Sequence, residues 1–225
     1  RNVNLIKTSA DLYFERHPLY ITTRDTRFVN VSAELTNRTK SRTTRIGLKI
    51  YDPQGQLIYQ GENSCKRISP ARTMEAKLSE VEIPNPQLWD TEHPNLYTAV
   101  VTLIREDGSV ADEVSEQFGI RTIEIGPDFG LKLNGKKVLL KGYANHHTLG
   151  ALGAAAYPRA IEKRIQLMKQ FGLNHIRTSH NPYCRIRFRI GLYLVRRANS
   201  ITSSRQVFDA FTSRSEERFS RNAET

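Results

Sequence analysis

The sequence has little cysteine, no long hydrophobic run and no internal repeat. Its two cysteines, Cys65 and Cys184, are too far apart for a metal-binding knuckle or a CxxC redox pair, and too few for a disulfide framework. The longest stretch without a polar side chain, 149–157, is far shorter than the roughly 20 residues that span a bilayer, so we expect no membrane-spanning segment. The chain begins with Arg1 rather than Met and shows no basic-then-apolar leader, so we expect it to be part of a longer protein.

The composition is that of a globular protein with an uneven distribution of positive charge. Of 225 residues, 38% are hydrophobic and 25% are charged, which suits one large domain or two small ones. Nearly half of the net charge of +11 lies in residues 185–225, which contain nine arginines, no lysine and four acids. This segment is either an Arg-rich arm for polyanions or a disordered or non-native tail. We favour the tail and expect no nucleic-acid partner.

Short alternating strands dominate the chain from Leu19 to Phe118. Apolar residues recur at every second position, and turn residues such as Asp107-Gly108 separate the runs. Several strands of this kind over about 100 residues predict an immunoglobulin-like β-sandwich. Trp89 lies in a Pro-rich connection, so we expect it to pack over one end of the sandwich rather than in its centre.

After Ile125 the pattern changes to one β-α-β unit. The apolar run Val138–Leu140 predicts a first strand and Leu173–Arg177 predicts a second. Pro158 suits the first turn of the helix between them, and Gly172 suits its end. The expected buried face of this helix comprises Ile161, Ile165, Met168 and Phe171. A crossover helix implies parallel strands and the opening of an α/β domain.

Two polar clusters follow these two predicted strands. Asn145-His146-His147 comes after the first, and Ser179-His180-Asn181 comes after the second. The carboxyl ends of parallel barrel strands form the face on which active sites are built, where an imidazole can bond sugar hydroxyls, bind a metal or transfer protons. A lone histidine there is more often structural, but two clusters at equivalent strand ends favour function. Arg177 ends an apolar strand and predicts either an ion pair or the orientation of a catalytic acid.

Several motifs resemble bacterial β-galactosidase-like members of glycoside hydrolase family 2. The resemblance runs from about Leu5 to Cys184 and is most specific between Phe118 and Pro182. The segments that carry it are Leu88-Trp89, Phe118-Gly119-Ile120-Arg121, Lys141 to Gly153 and Asn174 to Pro182. The resemblance implies a multidomain chain, in which an all-β immunoglobulin-like sandwich is followed by an incomplete α/β (TIM-barrel) domain.

The same resemblance implies a retaining β-glycosidase. Such enzymes use two carboxylates, which in this family are glutamates from later barrel strands and are expected outside this chain. By motif position, His146 and His180 would contact the sugar, Asn181 would line the same pocket, and Arg177 would orient the catalytic glutamates. The implied partner is a carbohydrate substrate, with no cofactor, no metal, no nucleic acid and no membrane.

The chain departs from the family pattern at the strand ends. Thr148 stands where many relatives have aspartate, which removes a possible sugar contact. Gly191 to Val195 still resembles a third strand, but Arg196-Arg197 stand where acids are expected, and an acid-to-arginine change is not conservative.

These observations divide the chain into four segments. We expect residues 1–18 to be the end of a preceding sugar-binding-type sandwich, 19–120 the immunoglobulin-like sandwich, 121–195 the first barrel strands and helices, and 196–225 a tail. We predict that the chain is part of a retaining β-glycosidase, with β-galactosidase as the preferred assignment. We expect this chain to be inactive by itself. The alternative is a non-catalytic carbohydrate-binding or scaffold module.

Overall fold

The chain folds into two compact units. The computed structural model describes residues 5–40, 43–66, 73–146, 148–155, 157–178 and 193–196. One unit comprises Asn4–Trp89 and Asn95–Thr122, and the other comprises Asp90–Pro94 and the described residues from Ile123 onward. Among the described residues, no helix has the length and apolar character needed to cross a membrane.

The first unit is a sandwich of two antiparallel sheets. Its strands in the described residues are β1 Leu12–Arg24, β2 Phe28–Asn37, β3 Thr43–Tyr51, β4 Leu57–Lys66, β5 Thr73–Lys77, β6 Val81–Glu82, β7 Tyr97–Ile104 and β8 Val110–Phe118. One sheet has the order β1-β2-β5, with β6 also paired to β2, and the other has the order β4-β3-β7-β8. This division of consecutive strands between two sheets is that of immunoglobulin-type sandwiches.

The alternating pattern in the sequence accounts for the sandwich core. Along β7, buried positions alternate with partly exposed ones, as the two-residue period of a strand requires. The facing residues of the other sheet are also apolar, and together they form one cluster whose members include Val31, Leu35, Ile46, Ile50, Val101 and Leu103. The predicted hairpin is confirmed: Gly108 has φ of +85°, and its N–H donates to Arg105 O at 3.0 Å.

Trp89 is buried but lies outside the main cluster of the sandwich, as its position in the Pro-rich connection predicted. Only 2% of its surface is exposed. Its backbone N–H donates to Ile120 O at 2.8 Å, and the Arg121 guanidinium stacks 4.6 Å from its ring centroid. Gly119 lies directly against the indole, since a β-carbon at this position would come within 2.7 Å of Trp89 Cβ.

The sandwich begins earlier in the chain than the boundary at residue 18 predicted. Leu12 pairs with Asn37 and Phe14 pairs with Leu35, so the first part of β1 is already in the sheet. Both side chains belong to the sandwich core. The pairing register shifts between Phe14 and Leu19, and this irregularity interrupts the alternation that would have revealed one long strand. Residues 12–18 therefore belong to the sandwich.

In its described residues, the second unit contains two small sheets, one α-helix and one short 3-10 helix, Gly150–Leu152. Strands β9 Ile123–Gly126, β10 Gly130–Leu133 and β11 Lys136–Lys137 form an antiparallel sheet, and the Asn134-Gly135 turn joins the last two, as predicted. Strands β12 Gly142–Asn145, β13 His175–Thr178 and β14 Tyr193–Arg196 form a parallel sheet, and helix α1, Pro158–Gln170, connects β12 to β13. The predicted β-α-β unit with parallel strands is confirmed.

The first parallel strand lies further along the chain than the apolar run Val138–Leu140, and the prediction of a strand there was wrong. Asn174 supplies the physical reason. Its side-chain amide donates to Leu139 O at 3.0 Å and its Oδ1 accepts from Lys141 N at 2.8 Å. The backbone of this run is thus bound by a side chain, and the strand begins at Gly142.

Helix α1 forms as the sequence predicted, except for one residue of its buried face. Pro158 occupies its first turn, and the side chains of Ile161, Ile165 and Met168 are buried together with Ile176. The helix ends in a Schellman motif, in which Gly172 N–H donates to Lys169 O and Leu173 N–H to Met168 O.

Phe171 is the residue of the predicted buried face that the structure contradicts. It is 82% exposed and is the C-cap residue, which follows the last residue of the helix. The apolar face of α1 in the described residues therefore ends at Met168.

Candidate functional site

The parallel pairing of β12 with β13 brings the ends of both strands to one edge. Asn145 is paired with Thr178, and Thr178 is paired with Arg196 of β14. His146 directly follows the last residue of β12. We call this region the strand-end edge, defined by residues 145, 146, 178 and 196. Carboxyl ends of parallel strands are the usual position for a ligand site in α/β folds.

The two faces of this parallel sheet carry different side chains. Ile176 packs with the buried residues of α1, so its face of β13 is the helix side. Tyr143 is paired with Ile176, and Asn145 lies two residues further along β12, so the side chains of Tyr143 and Asn145 share the helix side. Arg177 is paired with Ala144 and lies on the opposite face, where its side chain is exposed within the described residues.

The loop after β12 is held by an arginine from the helix. Arg164 Nη1 donates to the Oδ1 of Asn145 at 2.7 Å and to the carbonyl oxygen of His146 at 3.2 Å. Its Nη2 donates to the carbonyl oxygen of Thr148 at 2.5 Å. Asn145 is buried, with 6% of its surface exposed, and Arg164 donates to its amide oxygen where water has little access.

The same loop is also closed by its own backbone. Leu149 N–H donates to Gly153 O at 2.8 Å, and Gly153 N–H donates to Gly150 O at 2.9 Å. Both glycines have positive φ, 58° at Gly150 and 55° at Gly153, a conformation that residues with a β-carbon adopt at a cost. Residues 149–153, shortly after His146, therefore form a folded turn, although most of their side chains are exposed.

The amino end of β13, at His175, lies close to Gly142 of β12 and is partly buried. A β-carbon at position 142 would collide with the carbonyl oxygen of His175, so only glycine allows this approach of the two strands. His175 is half-buried, and its burial lowers the pKa of the imidazole below its usual value, because water no longer stabilises the charged ring. This group lies at the amino end of β13, away from the strand-end edge.

The structure places part of the predicted site. His146 lies at the strand-end edge, and Arg177 lies one residue before the end of β13. His180, Asn181 and His147 lie outside the described residues. No carboxylate of the described residues forms an ion pair with Arg177, and its assigned role as an orienting residue stays a prediction.

Sequence reasoning missed the part that Arg164 has in this region. It is placed three residues after Ile161 and one before Ile165, at the border of the helix face that packs on the sheet. An arginine at such a border has a buried stem and a head that can reach the strand ends. Its position beside the apolar face was the available signal, but its acceptors could not be deduced from spacing.

Two family models match the chain in series. The model described as "Glycosyl hydrolases family 2" matches residues 16–121. The model described as "Glycosyl hydrolases family 2, TIM barrel domain" matches residues 127–225. Together they extend over most of the chain, and they confirm the predicted fold class of a sandwich followed by the start of a barrel.

Individual proteins give the same result. A β-galactosidase from Bacteroides ovatus is 31% identical over 187 residues, which are 81% of this chain and 22% of that protein. A putative β-glucuronidase from Formosa agariphila is 35% identical over 146 residues, 65% of this chain and 17% of that protein. The crystal structure of a glycosyl hydrolase family 2 member from Bacteroides cellulosilyticus superposes with a TM-score of 0.75 at 32% identity, covering 82% of this chain and 26% of that one. The chain thus spans about a quarter or less of these relatives.

Proposed function

Because the chain belongs to glycosyl hydrolase family 2, we propose that it acts within a longer protein that hydrolyses terminal β-glycosidic bonds, with β-galactosides as the preferred substrates. The observation that carries this proposal is the strand-end edge, where β12 and β13 end side by side and His146 follows. Support for the galactoside comes from the Bacteroides ovatus relative, which is named a β-galactosidase and matches 81% of this chain. A β-glucuronide is the competing substrate, since another relative is named a putative β-glucuronidase.

In this proposal the chain supplies sugar contacts rather than the bond-breaking groups. Retaining glycosidases use two carboxylates about 5 Å apart, one as acid/base and one as nucleophile. We assign both carboxylates to glutamates outside this chain. His146 would hydrogen-bond a ring hydroxyl, and His180 and Asn181 would contact the sugar from the next strand end. Arg177 would hold a glutamate by a charged hydrogen bond. A hydroxyl contact that strengthens in the transition state contributes a few kcal/mol.

A substrate comparison tests the proposal. The protein that contains this chain is assayed with nitrophenyl β-D-galactopyranoside and nitrophenyl β-D-glucuronide under the same conditions. We expect hydrolysis of both or of the galactoside alone, with the larger kcat/KM for the galactoside. A larger kcat/KM for the glucuronide would contradict the substrate assignment. Sugar binding without hydrolysis of either compound would favour the non-catalytic module.

The 225-residue chain itself provides a second test. We expect it to show no turnover of nitrophenyl β-D-galactopyranoside above a mock-purified control, because the two carboxylates of a retaining glycosidase are assigned to other parts of the protein. Turnover that co-purifies with the chain and is lost on substitution of one of its own glutamates would contradict this assignment.

A further inference from the structure

Arg164 is in neither polar cluster of the strand ends, yet its guanidinium binds the loop that begins there. Its three acceptors are Asn145 Oδ1, His146 O and Thr148 O, at 2.7, 3.2 and 2.5 Å. We propose that Arg164 is a positioning residue, which binds the Asn145 side chain and the backbone carbonyls of His146 and Thr148 and thereby sets the place of His146. The functional part of this inference rests on the proposed sugar-binding role of His146.

In the part of the chain that the structure describes, the hydrogen bonds of Arg164 go to the last residue of β12 and to the loop that follows it. Within the described residues its guanidinium forms no ion pair with a carboxylate, whereas the neighbouring Arg159 on the same helix pairs with Glu162. Its acceptors lie 16 to 19 residues earlier in the chain, so the bonds join the helix to the end of β12. Two of them are backbone carbonyls, those of His146 and Thr148, which follow the last residue of β12.

The geometry requires an arginine rather than any cation. Two nitrogens of one planar group point at acceptors on three residues, which a guanidinium can satisfy in a fixed fork. A lysine ammonium has three donors but only one centre, and it could not reach Asn145 and Thr148 in the same arrangement. The buried amide of Asn145 makes the arrangement specific, because its oxygen would lack this donor if Arg164 were removed.

Because Arg164 binds the backbone carbonyl of His146, we expect its loss to change the position of His146 rather than the chemistry of its side chain. A variant without the guanidinium still contains His146. However, the Cα of His146 is then no longer held in a fixed position relative to the strand ends. Helix α1 keeps its buried residues Ile161, Ile165 and Met168, so its packing on the sheet is retained. The loss is therefore local, and it differs from a general loss of stability.

Amide hydrogen exchange of the 225-residue chain, followed by NMR, tests the positioning role. The variants are Arg164→Met, which keeps the stem and removes the donors, and Arg164→Lys, which keeps the charge. Arg159→Met is the matched control, since Arg159 lies on the same helix and contacts Glu162. We expect Arg164→Met to raise exchange of the Leu149 amide at least tenfold and to leave the Ile165 amide within twofold of wild type. Arg164→Lys should give a smaller increase, and Arg159→Met should give none.

Two results would overturn the positioning role. One is exchange of the Leu149 amide within twofold of wild type in Arg164→Met. The other is an equal increase at Leu149, Ile165 and Ile176, which would show that Arg164 serves only the stability of the whole unit. If Arg164→Met does not fold, the smaller increase expected for Arg164→Lys, confined to the loop, decides the question.

A galactose titration of the same samples separates this inference from the proposed function. Ring signals of His146 are followed in wild type and in Arg164→Met. A response in wild type that is at least fivefold weaker in the variant supports both proposals. An equal response in both proteins overturns the link between Arg164 and sugar binding. No response in wild type contradicts sugar binding by this chain, and the exchange data then decide the positioning role alone.

Discussion

A hydrogen bond of the buried residue Tyr97 joins the start of β7 to the connection that precedes it. Tyr97 begins β7 with only 3% of its surface exposed, and its hydroxyl accepts a hydrogen bond from Gln87 N at 2.8 Å. Burial raises the pKa of this phenol above its usual value. An inward-facing tyrosine at this strand, bonded to the backbone some residues upstream, corresponds to the tyrosine corner of immunoglobulin-type domains.

We predict that Tyr97→Phe lowers the free energy of unfolding of the sandwich by about 1–2 kcal/mol, because the Gln87 N–H loses its acceptor while the ring packing is kept. Urea denaturation monitored by the fluorescence of Trp89, the single tryptophan, measures the change. Tyr59→Phe is the control, since the structure gives the Tyr59 hydroxyl no hydrogen bond with the described residues. An equal loss in both variants would contradict the specific role of Tyr97.

Gly119 provides a second prediction at the residue scale. Because a β-carbon there would come within 2.7 Å of Trp89 Cβ, we expect Gly119→Ala to destabilise the sandwich by about 1–3 kcal/mol through overpacking. The midpoint of urea denaturation measures this loss. Stability equal to that of wild type would mean that Trp89 can move aside freely, which would contradict its close packing.

We predict that the second unit loses stability at acidic pH because of His175. Its pKa is lowered by burial in the folded chain, so the unfolded chain binds the proton more readily. The contribution of His175 to stability is therefore complete above the ordinary pKa of about 6.5 and falls as the pH decreases towards the lowered value. We expect protection of the Ile176 amide, corrected for intrinsic exchange, to be lower at pH 5.5 than at pH 7.5. His175→Gln should reduce this difference, and the exposed His93→Gln should not.

At the scale of elements, the sequence predicted those turns and helices that depend on residues close together in the chain. The Asp107-Gly108 hairpin, the Asn134-Gly135 turn and helix α1 from Pro158 to Gln170 follow from turn residues, proline and helical spacing. The start of the first parallel strand did not follow, because a distant side chain, that of Asn174, binds the backbone of the preceding run. The contacts of Arg164 could not be predicted either, because its acceptors also lie far from it in the sequence.

The strand-end edge was predicted from sequence in outline and is observed in part. The order of strand, helix and strand was sufficient to bring the two carboxyl ends together, and the pairing of Asn145 with Thr178 places His146 there. The fixed position of the loop depends on contacts across 16 to 19 residues, which no periodicity reveals.

Gly142 tests the pairing of β12 with β13. A β-carbon at this position would meet backbone atoms of His175, which cannot rotate away as a side chain can. We expect Gly142→Ala to cost about 3 kcal/mol or more, at the upper end of overpacking effects, and to remove the protection of amides in β13. Gly47→Ala is the control in another strand, because its β-carbon would lie 3.7 Å from the nearest atom. Full protection of β13 in Gly142→Ala would contradict the observed register.

At the scale of the whole molecule, the two units differ in the size of their cores. The sandwich buries residues from both of its sheets in one large cluster, whereas the described part of the second unit buries a small one of Ile161, Ile165, Met168 and Ile176. Large apolar side chains such as Leu139 and Phe171 are 73% and 82% exposed. A small core and exposed apolar residues indicate a lower local free energy of opening.

We therefore predict that residues 19–120 resist limited proteolysis longer than residues 126–225. A time course with trypsin, analysed by mass spectrometry, should show a persistent fragment that contains the sandwich. Both units contain many lysines and arginines, so cleavage sites are available in each. Faster digestion of the sandwich than of the second unit would contradict the difference in core size.

The proposed function requires that the strand-end edge of this chain contact the sugar through His146. The most direct test is kcat/KM for nitrophenyl β-D-galactopyranoside, measured for wild type and His146→Ala in the protein that contains this chain, with the exposed His93→Ala as control. A lost hydroxyl contact of about 1.4–2.8 kcal/mol predicts a fall of roughly 10- to 100-fold in His146→Ala, and no change in His93→Ala. A kcat/KM for folded His146→Ala within twofold of wild type would contradict the claim.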